Sequence, residues 1–323
     1  MKISVVMATF NGVSYISEQL NSILDQTVLP DELIICDDGS KDGTVSILRD
    51  YEKKFKNIIK LFFNHKNLGY SKNFWKALGY ATGDIILLSD QDDVWKIRKI
   101  ETIKSLFLQY PQIRALSTAY ELIDANGVVY NDIRNVLFKN NGKLKNISWK
   151  KFIRHPRYPG MGMAIRREDF KSIIKQQFEE MAPHDWLLNQ SAAYSSGMYF
   201  CDKILTQYRQ HDNNTVGSAA NAKKINYKSR RIETIQSLQD SLEFLMKHND
   251  IIICNKMTYN DIIYTGKVID LCKQRIGYLF GEKIFKLALC DLKNYSYISS
   301  RSIIGDIYYG LRIKYSNGDN SEF

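Results

Sequence analysis

The chain has 323 residues, 44% of them hydrophobic, with 45 Lys and Arg against 35 Asp and Glu for a net charge of +10. That length supplies a sizeable core for one large domain or two modest ones, and the ordinary apolar and charged fractions exclude disorder and fibrous repeats. The longest purely apolar runs, Ile85-Ile86-Leu87-Leu88 and Ile251-Ile252-Ile253-Cys254, fall far short of the roughly 18 residues of a membrane-spanning helix.

The first hundred residues alternate strand-like and helix-like segments. The N-terminal MKISVVMATFNG lacks the small-residue cleavage site of a signal peptide and reads as a first strand over Ile3–Met7. Ile16, Leu20, Ile23 and Leu24 recur at helical spacing. Leu33–Cys36 is a second strand ending at Asp37-Asp38-Gly39-Ser40, and Asp42 is placed to cap a helix running to Phe55. A third strand over Ile58–Phe63, a helix over 71–81 and a fourth strand over Asp84–Leu88 follow. Continuous apolar strands alternating with helices predict an α/β fold with a mostly parallel sheet flanked by helices.

Beyond this, a helix over 97–109 and a strand near Arg114–Tyr120 are expected, and the pattern weakens from Asn126 to Arg157. Pro159–Ile165, with Gly160, Gly162 and Ala164, reads as a strand in a crowded place. Asp169–Phe178 and Trp186–Tyr194 read as helices. After residue 222 the chain has long helical periodicity and no Pro, so a boundary is set near 215–222. The domains are then a catalytic domain over 1–218 and a basic, mainly helical C-terminal region over 219–323. Five scattered cysteines with no CxxC pair point to neither a zinc ribbon nor a disulfide framework, and the natural compartment is a reducing cytoplasm.

In parallel α/β sheets, ligands sit beyond the carboxyl ends of the strands. Asp37 and Asp38 fall there after the second strand, and Asp90, Asp92 and Asp93 after the fourth. Carboxylates gathered at adjacent strand ends repel one another unless something cationic offsets them. A hard divalent cation, Mg²⁺ or Mn²⁺, with oxygen ligands at Asp90-Gln91-Asp92 is one solution. The plainer alternative is that these aspartates form turns and caps, Asp93 in particular. No GxxxxGK[ST] loop and no GxGxxG fingerprint occurs, which disfavours a P-loop kinase or a dinucleotide dehydrogenase.

The segments ISVVMATFNG, LIICDDGSKDGT, NLGYSKNFWKAL, GDIILLSDQDDVW and HDWLL, in this order over roughly residues 1–215, resemble glycosyltransferase family 2. Those are inverting GT-A enzymes that use nucleotide-sugar donors. The combination of SDQDDVW, HDW and YRQHDNN is similar to the bacterial rhamnosyltransferase-like subgroup. The resemblance implies a GT-A fold with a donor half over 1–110 and an acceptor half over 111–218. It implies donor-binding roles for Thr9, Phe10, Asp38, Asn67, Asn73, Asp90 and Arg209, with Asp38 at the pyrimidine N–H and Asp90 near the ribose. It also implies a divalent metal at Asp92 with Asp90 and His211, and Asp185 as the general base that deprotonates the acceptor hydroxyl. Read only as residues, Phe10 fits the core, Asn67 a turn before Leu68-Gly69, Asp185 a helix cap, and Tyr208–His211 an edge strand.

Residues 1–110 carry 14 basic and 14 acidic side chains, so the whole excess of positive charge follows residue 110. Lys143, Lys145, Lys150, Lys151, Arg154 and Arg157 flank Trp149 and Phe152, and Lys223, Lys224, Lys228, Arg230 and Arg231 form a second cluster. Basic residues interleaved with aromatics suit an anionic membrane surface, where a lipid-linked oligosaccharide acceptor would lie, or else a solvated face. RNA suits the basic clusters but leaves the acidic first half unexplained, so no nucleic-acid partner is expected. The combined expectation is transfer of a sugar, rhamnose from dTDP-rhamnose, to a lipid-linked saccharide in cell-surface polysaccharide synthesis at the inner membrane face. Two rivals stay open: a UDP-hexose or UDP-N-acetylhexosamine donor, and a non-catalytic sugar-nucleotide-binding scaffold. The C-terminal helices are left to dock on the membrane, bind a partner or form a homo-oligomer.

Overall fold

Three mostly apolar strands make the centre of the sheet. β1 (Ile3–Thr9), β2 (Glu32–Asp37) and β4 (Ile85–Ser89) are buried almost throughout, as parallel strands covered on both faces must be. With β3 (Ile59–Phe63) they run parallel in the order β3-β2-β1-β4. Alternate side chains enter opposite cores. Val6, Ile34, Ile86 and Leu88 pack with Phe74, Trp75 and Leu78 of α3 (Tyr70–Tyr80). Val5, Met7, Leu33, Ile35 and Leu87 pack on the other face with Leu20 and Ile23 of α1 (Ile16–Leu24), Leu48 of α2 (Thr44–Lys54), and Ile103 and Phe107 of α4 (Lys99–Gln109). The computed structural model describes residues 1–131, 138–154, 158–176, 183–211, 227–252, 257–281 and 283–298, with 303, 304 and 306.

Past β4 the sheet becomes mixed. β9 (Met163–Arg166) runs antiparallel between β4 and β6 (Ala115–Ile123). β10 (Met198–Arg209) lies parallel to β6 and antiparallel to β5 (Val94–Trp95) and β8 (Leu144–Asn146), and β7 (Val129–Tyr130) closes a hairpin with β6. The expected strand over 159–165 is shorter, because Gly160–Gly162 forms a single 3-10 turn and extension starts at Met163. The crowding is real: a Cβ on Gly162 would stand 3.0 Å from the Thr118 carbonyl oxygen.

One other expectation shifts. The residue at the N-cap of α2 is Gly43, at φ 99°, and Asp42 instead accepts the Thr44 N–H from one place earlier, at 3.1 Å. Tyr208–Arg209 ends β10, paired with β6 on one side, while the ladder with β5 covers only Thr206 and Gln207. This strand escapes sequence reading because Asp202-Lys203 breaks its apolar alternation. The register with β6 shifts between Cys201 and Ile204, and the Asp202 carboxylate accepts the Lys139 N–H at 3.1 Å.

Helices α5 (Trp149–Arg154), α6 (Arg167–Gln176) and α7 (His184–Tyr194) cover the α3 face. The C-terminal region is helical, with α8 (Tyr227–Lys247), α9 (Asn249–Ile252), α10 (Tyr259–Phe280) and α11 (Ile284–Lys293). The boundary expected at 215–222 lies outside the described residues. α10 starts with a reciprocal cap in which Thr258 and Asp261 each bond the other's backbone N–H. The region rests on the sheet domain through Trp149, stacked on Tyr194 at 4.7 Å and edge-on to Tyr264, and through Gln190, which donates to the Ser241 hydroxyl at 3.0 Å.

Glu32, at the start of β2, stitches three segments together. Its carboxylate accepts Ser4 Oγ at 2.6 Å, Lys60 Nζ at 2.6 Å and the Thr82 N–H at 2.6 Å. Burial pushes its pKa up, but the bonds from Lys60, Ser4 and Thr82 more than offset that and hold it at about 2. A depressed pKa contributes stability above the unfolded value of about 4.3, and that stability is lost as the pH falls toward 2. Glu32→Ala is expected to cost roughly 1–3 kcal/mol in urea denaturation at neutral pH, with the gap to the parent chain closing as the pH is lowered from 5 toward 2.

Candidate active site

The strand ends that carry the carboxylates converge at one edge of the sheet. Asp90 follows β4, and burial, then Asp92, then Asp185 push its pKa up to about 7, against the opposing pull of Lys99. Asp93 is fully buried and raised well above the carboxylate range by burial and by Asp92 and Asp90. Its Oδ1 accepts the Arg209 N–H at 3.0 Å, while Oδ2 is buried without a partner. Asp93 precedes a strand, so it caps no helix.

Beneath these groups lies Lys99, which sequence reading missed. Its Nζ is buried over the Trp95 ring at 3.8 Å and donates to the Met161 carbonyl at 2.7 Å and Thr206 Oγ1 at 2.9 Å. Burial lowers its pKa to about 7, although Asp93 and Asp90 work the other way. The signal was present: Lys99, Ile103 and Phe107 sit at i, i+4 and i+8, so a lysine occupies the apolar stripe of α4.

Arg209 and His211 return to this cluster at the end of β10. The Arg209 guanidinium is buried over Tyr15 at 4.7 Å. It donates to the Asp92 carbonyl at 2.8 Å and Glu18 Oε2 at 2.5 Å, with longer bonds to the carbonyls of Asp124 and Ala125. Arg209 thus ties together β10, α1, the β4–β5 loop and the β6–β7 turn. His211 Nε2 bonds Asp92 Oδ2 at 2.8 Å, and its ring packs on Tyr15 at 4.7 Å.

Asp185 comes in from α7. The residue at the N-cap is Pro183, and Asp185, in the first turn, accepts N–H bonds from Trp186 and Gly160. Burial nevertheless raises its pKa to about 6. Its neighbour His184 is stacked on Phe74 at 4.1 Å, with Nδ1 buried without a partner, and burial pushes its pKa down to about 3.

The loop after β1 is locked to both neighbours. Thr9 is buried and donates to Asp37 at 2.9 Å. Phe10 is 44% exposed rather than core, and the Gln91 amide clasps its backbone, accepting its N–H at 2.8 Å and donating to its carbonyl at 3.0 Å. Gly12 leaves room for that clasp, because a Cβ there would lie 2.4 Å from Gln91 Oε1. Asp38 is buried and accepts Asn64 Nδ2 at 2.8 Å and the N–H groups of Leu68 and Gly69. Asn73 is buried too, donating to the Cys36 carbonyl and accepting from Asn64. Asn67 is exposed and accepts the Gly69 N–H in a turn. Asp38, Asn64 and Asn73 therefore shape the 64–69 loop through protein contacts of their own. A depression of about 400 Å³ lined by Met1, Asp84, Arg166, Arg167 and Glu168 lies at the amino ends of β1 and β4, away from these carboxylates.

The donor set at Asp90, Asp92 and His211 is chemically suited to a hard divalent ion. Asp90 and Asp92 are half-buried and Asp93 is buried with an orphan oxygen, and the mutual repulsion that pushes Asp90 and Asp93 upward is what a bound cation would relieve. Among the described residues no three His, Cys, Asp or Glu side chains are already gathered as a complete ligand set.

A parallel half-sheet with carboxylates at its strand ends, continued by a mixed half that returns a histidine and a further carboxylate, is the GT-A arrangement. Residues 4–174 match the sequence model of Glycosyl transferase family 2, and the chain belongs to that family. It is 30% identical over 230 residues to the dTDP-rhamnosyl transferase RfbG of Shigella flexneri, covering 66% of this chain and 74% of that one. It is 32% identical over 144 residues to the Escherichia coli UDP-Glc:alpha-D-GlcNAc-diphosphoundecaprenol beta-1,3-glucosyltransferase WfgD, a match to 45% of this chain and 55% of that protein. Among solved structures, S. aureus TarS 1–349 in complex with UDP-GlcNAc superposes with a TM-score of 0.60 at 19% identity, over 98% of this chain and 92% of that one. The Pyrobaculum calidifontis mannosyltransferase PcManGT, in complex with GDP-Man and Mn²⁺, gives 0.52 at 17% identity, over 96% and 87%.

Because Arg209 bridges four segments, Arg209→Met is expected to lower the unfolding free energy by roughly 2–4 kcal/mol, as measured in urea. Arg209→Lys is expected to recover less than half of that, since an ammonium cannot fork to the same acceptors.

Proposed function

We propose that the protein is an inverting glycosyltransferase that moves a sugar from a nucleotide-sugar donor to a lipid-linked saccharide, in cell-surface polysaccharide synthesis at the cytoplasmic face of the membrane. The observation that carries this reading is Asp185, a carboxylate raised to about 6 and near enough to Asp90 to raise that group's pKa as well. A single in-line displacement requires a base on the acceptor side of the cleft, opposite the leaving diphosphate.

In this reading residues 1–110 bind the donor and residues 111–218 present the acceptor. The nucleobase lies against Thr9 and Phe10, with Asp38, Asn67 and Asn73 setting the shape of the loop beside it. Asp90 stands by the ribose. Arg209 acts by holding Asp92 and Asp93 in place, and Asp185 takes the proton of the attacking hydroxyl. Asp92, with Asp90 and His211, would hold Mg²⁺ or Mn²⁺, which supplies Lewis-acid stabilisation to the departing diphosphate. The name of the Shigella flexneri relative favours dTDP-rhamnose as donor, whereas the names of WfgD and the TarS complex favour a UDP-sugar. Against a non-catalytic scaffold stand the intact Asp92 and Asp185.

Asp185→Asn is expected to cut transfer by roughly 10²–10⁴-fold, with donor affinity in calorimetry nearly unchanged; full-rate transfer by this variant would remove Asp185 from the base role. Because the base works unprotonated, kcat should rise with pH through about 6 and then level off, with an inflection that Asp185→Asn abolishes. A panel of dTDP-, UDP- and GDP-sugars assayed for nucleotide release should give one preferred donor that loses activity with EDTA and regains it with Mn²⁺ or Mg²⁺. Asp92→Ala and His211→Ala should raise the metal concentration needed for half-maximal rate by about tenfold or more. No release with any donor in the presence of metal would overturn the enzymatic reading.

A further inference from the structure

The sequence places two basic clusters where a membrane could dock, and the structure removes the apolar half of the first. Trp149 is half-buried and stacked on Tyr194, and Phe152 is buried, so the aromatics beside Lys150, Lys151 and Arg154 pack inward. Within the second cluster, Lys223 and Lys224 lie outside the described residues, and Arg231 is bonded to Asp306 at 2.7 Å.

Another surface has both components. On α11, Phe285, Leu289 and Leu292 are 78%, 42% and 55% exposed. Their i, i+4, i+7 spacing puts them in one stripe along the helix. Leu287 and Cys290 face inward and are buried. Lys286 and Lys293 are exposed and lie about 80° round the helix from the stripe, and Lys283 is exposed just before the first turn. The helix's one carboxylate, Asp291, is fully buried against Arg275 at 2.9 Å. The outward face of α11 therefore carries apolar side chains and positive charge, with no exposed acid. Phe280, at the end of α10 and only five residues from Phe285, adds a further ring at 66% exposure.

We infer that this face of α11 docks the protein on an anionic lipid surface, with Phe285, Leu289 and Leu292 entering the interface and Lys283, Lys286 and Lys293 meeting the headgroups. The complementarity of charge selects the occupant. A second copy of the chain would bring like-charged lysines against lysines, whereas an acidic bilayer matches stripe and flanks together. No helix among the described residues is long and apolar enough to cross a membrane, so attachment through this face is peripheral.

The test is co-sedimentation of the full chain with vesicles of phosphatidylcholine alone or doped with phosphatidylglycerol, at rising salt. The parent protein should pellet with the anionic vesicles, and salt should release it. The triple variant Phe285→Ser, Leu289→Ser, Leu292→Ser should lose at least about tenfold in vesicle affinity, as should Lys283→Gln, Lys286→Gln, Lys293→Gln on anionic vesicles. Both should keep the parent melting temperature and the parent rate of nucleotide release in solution. Equal pelleting of parent and serine variant would overturn the inference, as would no pelleting of the parent. A parent dimer in light scattering that the serine variant converts to monomer would also overturn it, by assigning the face to a second copy. Nucleotide release needs no vesicle, so failure here is distinguishable from failure of the glycosyl-transfer reading.

Discussion

Holding several carboxylates in a poorly solvated cleft is the constraint around which the rest of the molecule is arranged. Asp90 and Asp93 are both pushed upward by burial and by their neighbours. Two like charges ~4 Å apart repel by about 4 kcal/mol at an effective dielectric of 20, so they cannot all ionise without buried positive charge. Lys99 supplies it, opposing the upward shift of both groups, while Arg209 holds the cluster through its backbone N–H on Asp93 and its guanidinium on the Asp92 carbonyl. Lys99 comes from α4 and is anchored on Met161 and Thr206, so it links the cluster to the 3-10 turn and to β10. Arg209 comes from β10 and takes hold of α1 and the β4–β5 loop. The mixed half of the sheet is thus needed to finish a site that the parallel half begins.

The same requirement explains several small residues. For β10 to reach the cluster, β9 must fit between β4 and β6, and the turn before it must pass close to Thr118. Gly162 makes that passage possible. Gly12 plays the matching part on the other side, admitting the Gln91 amide that bonds the loop after β4 to the loop after β1. Neither glycine touches the carboxylates. Both set the distance between elements that do.

The parallel half was legible because its central strands are buried on both faces and therefore read as mostly apolar runs, with helical spacing between them. β10 was not, because its polar residues answer to partners far away in sequence: Asp202 to Lys139, Lys99 to Thr206, Arg209 to Glu18. The site was legible as a set of aspartates and not as a balance of charge. Lys99 sits on an apolar stripe, where a charge is costly unless paired, and that misfit was the visible clue. Asp38 and Asn73 show the opposite case. Their identity was readable, but their engagement with Asn64 and with backbone groups follows from how the 64–69 loop folds back, which no local pattern encodes.

The net charge of the chain also changes meaning once side chains are placed. Arg231 and Arg275 are drawn into a buried network with Asp291 and Asp306, which fixes how α8, α10 and α11 sit together. Removing one member would leave an uncompensated charge in the helical core. Those arginines contribute nothing to an outward-facing potential. By burying Asp291, the same network takes the negative charge of α11 inward and leaves its outer face positive. The surface charge of that helix is therefore a consequence of how its core is paired, and a count of basic residues along the chain could not have located it.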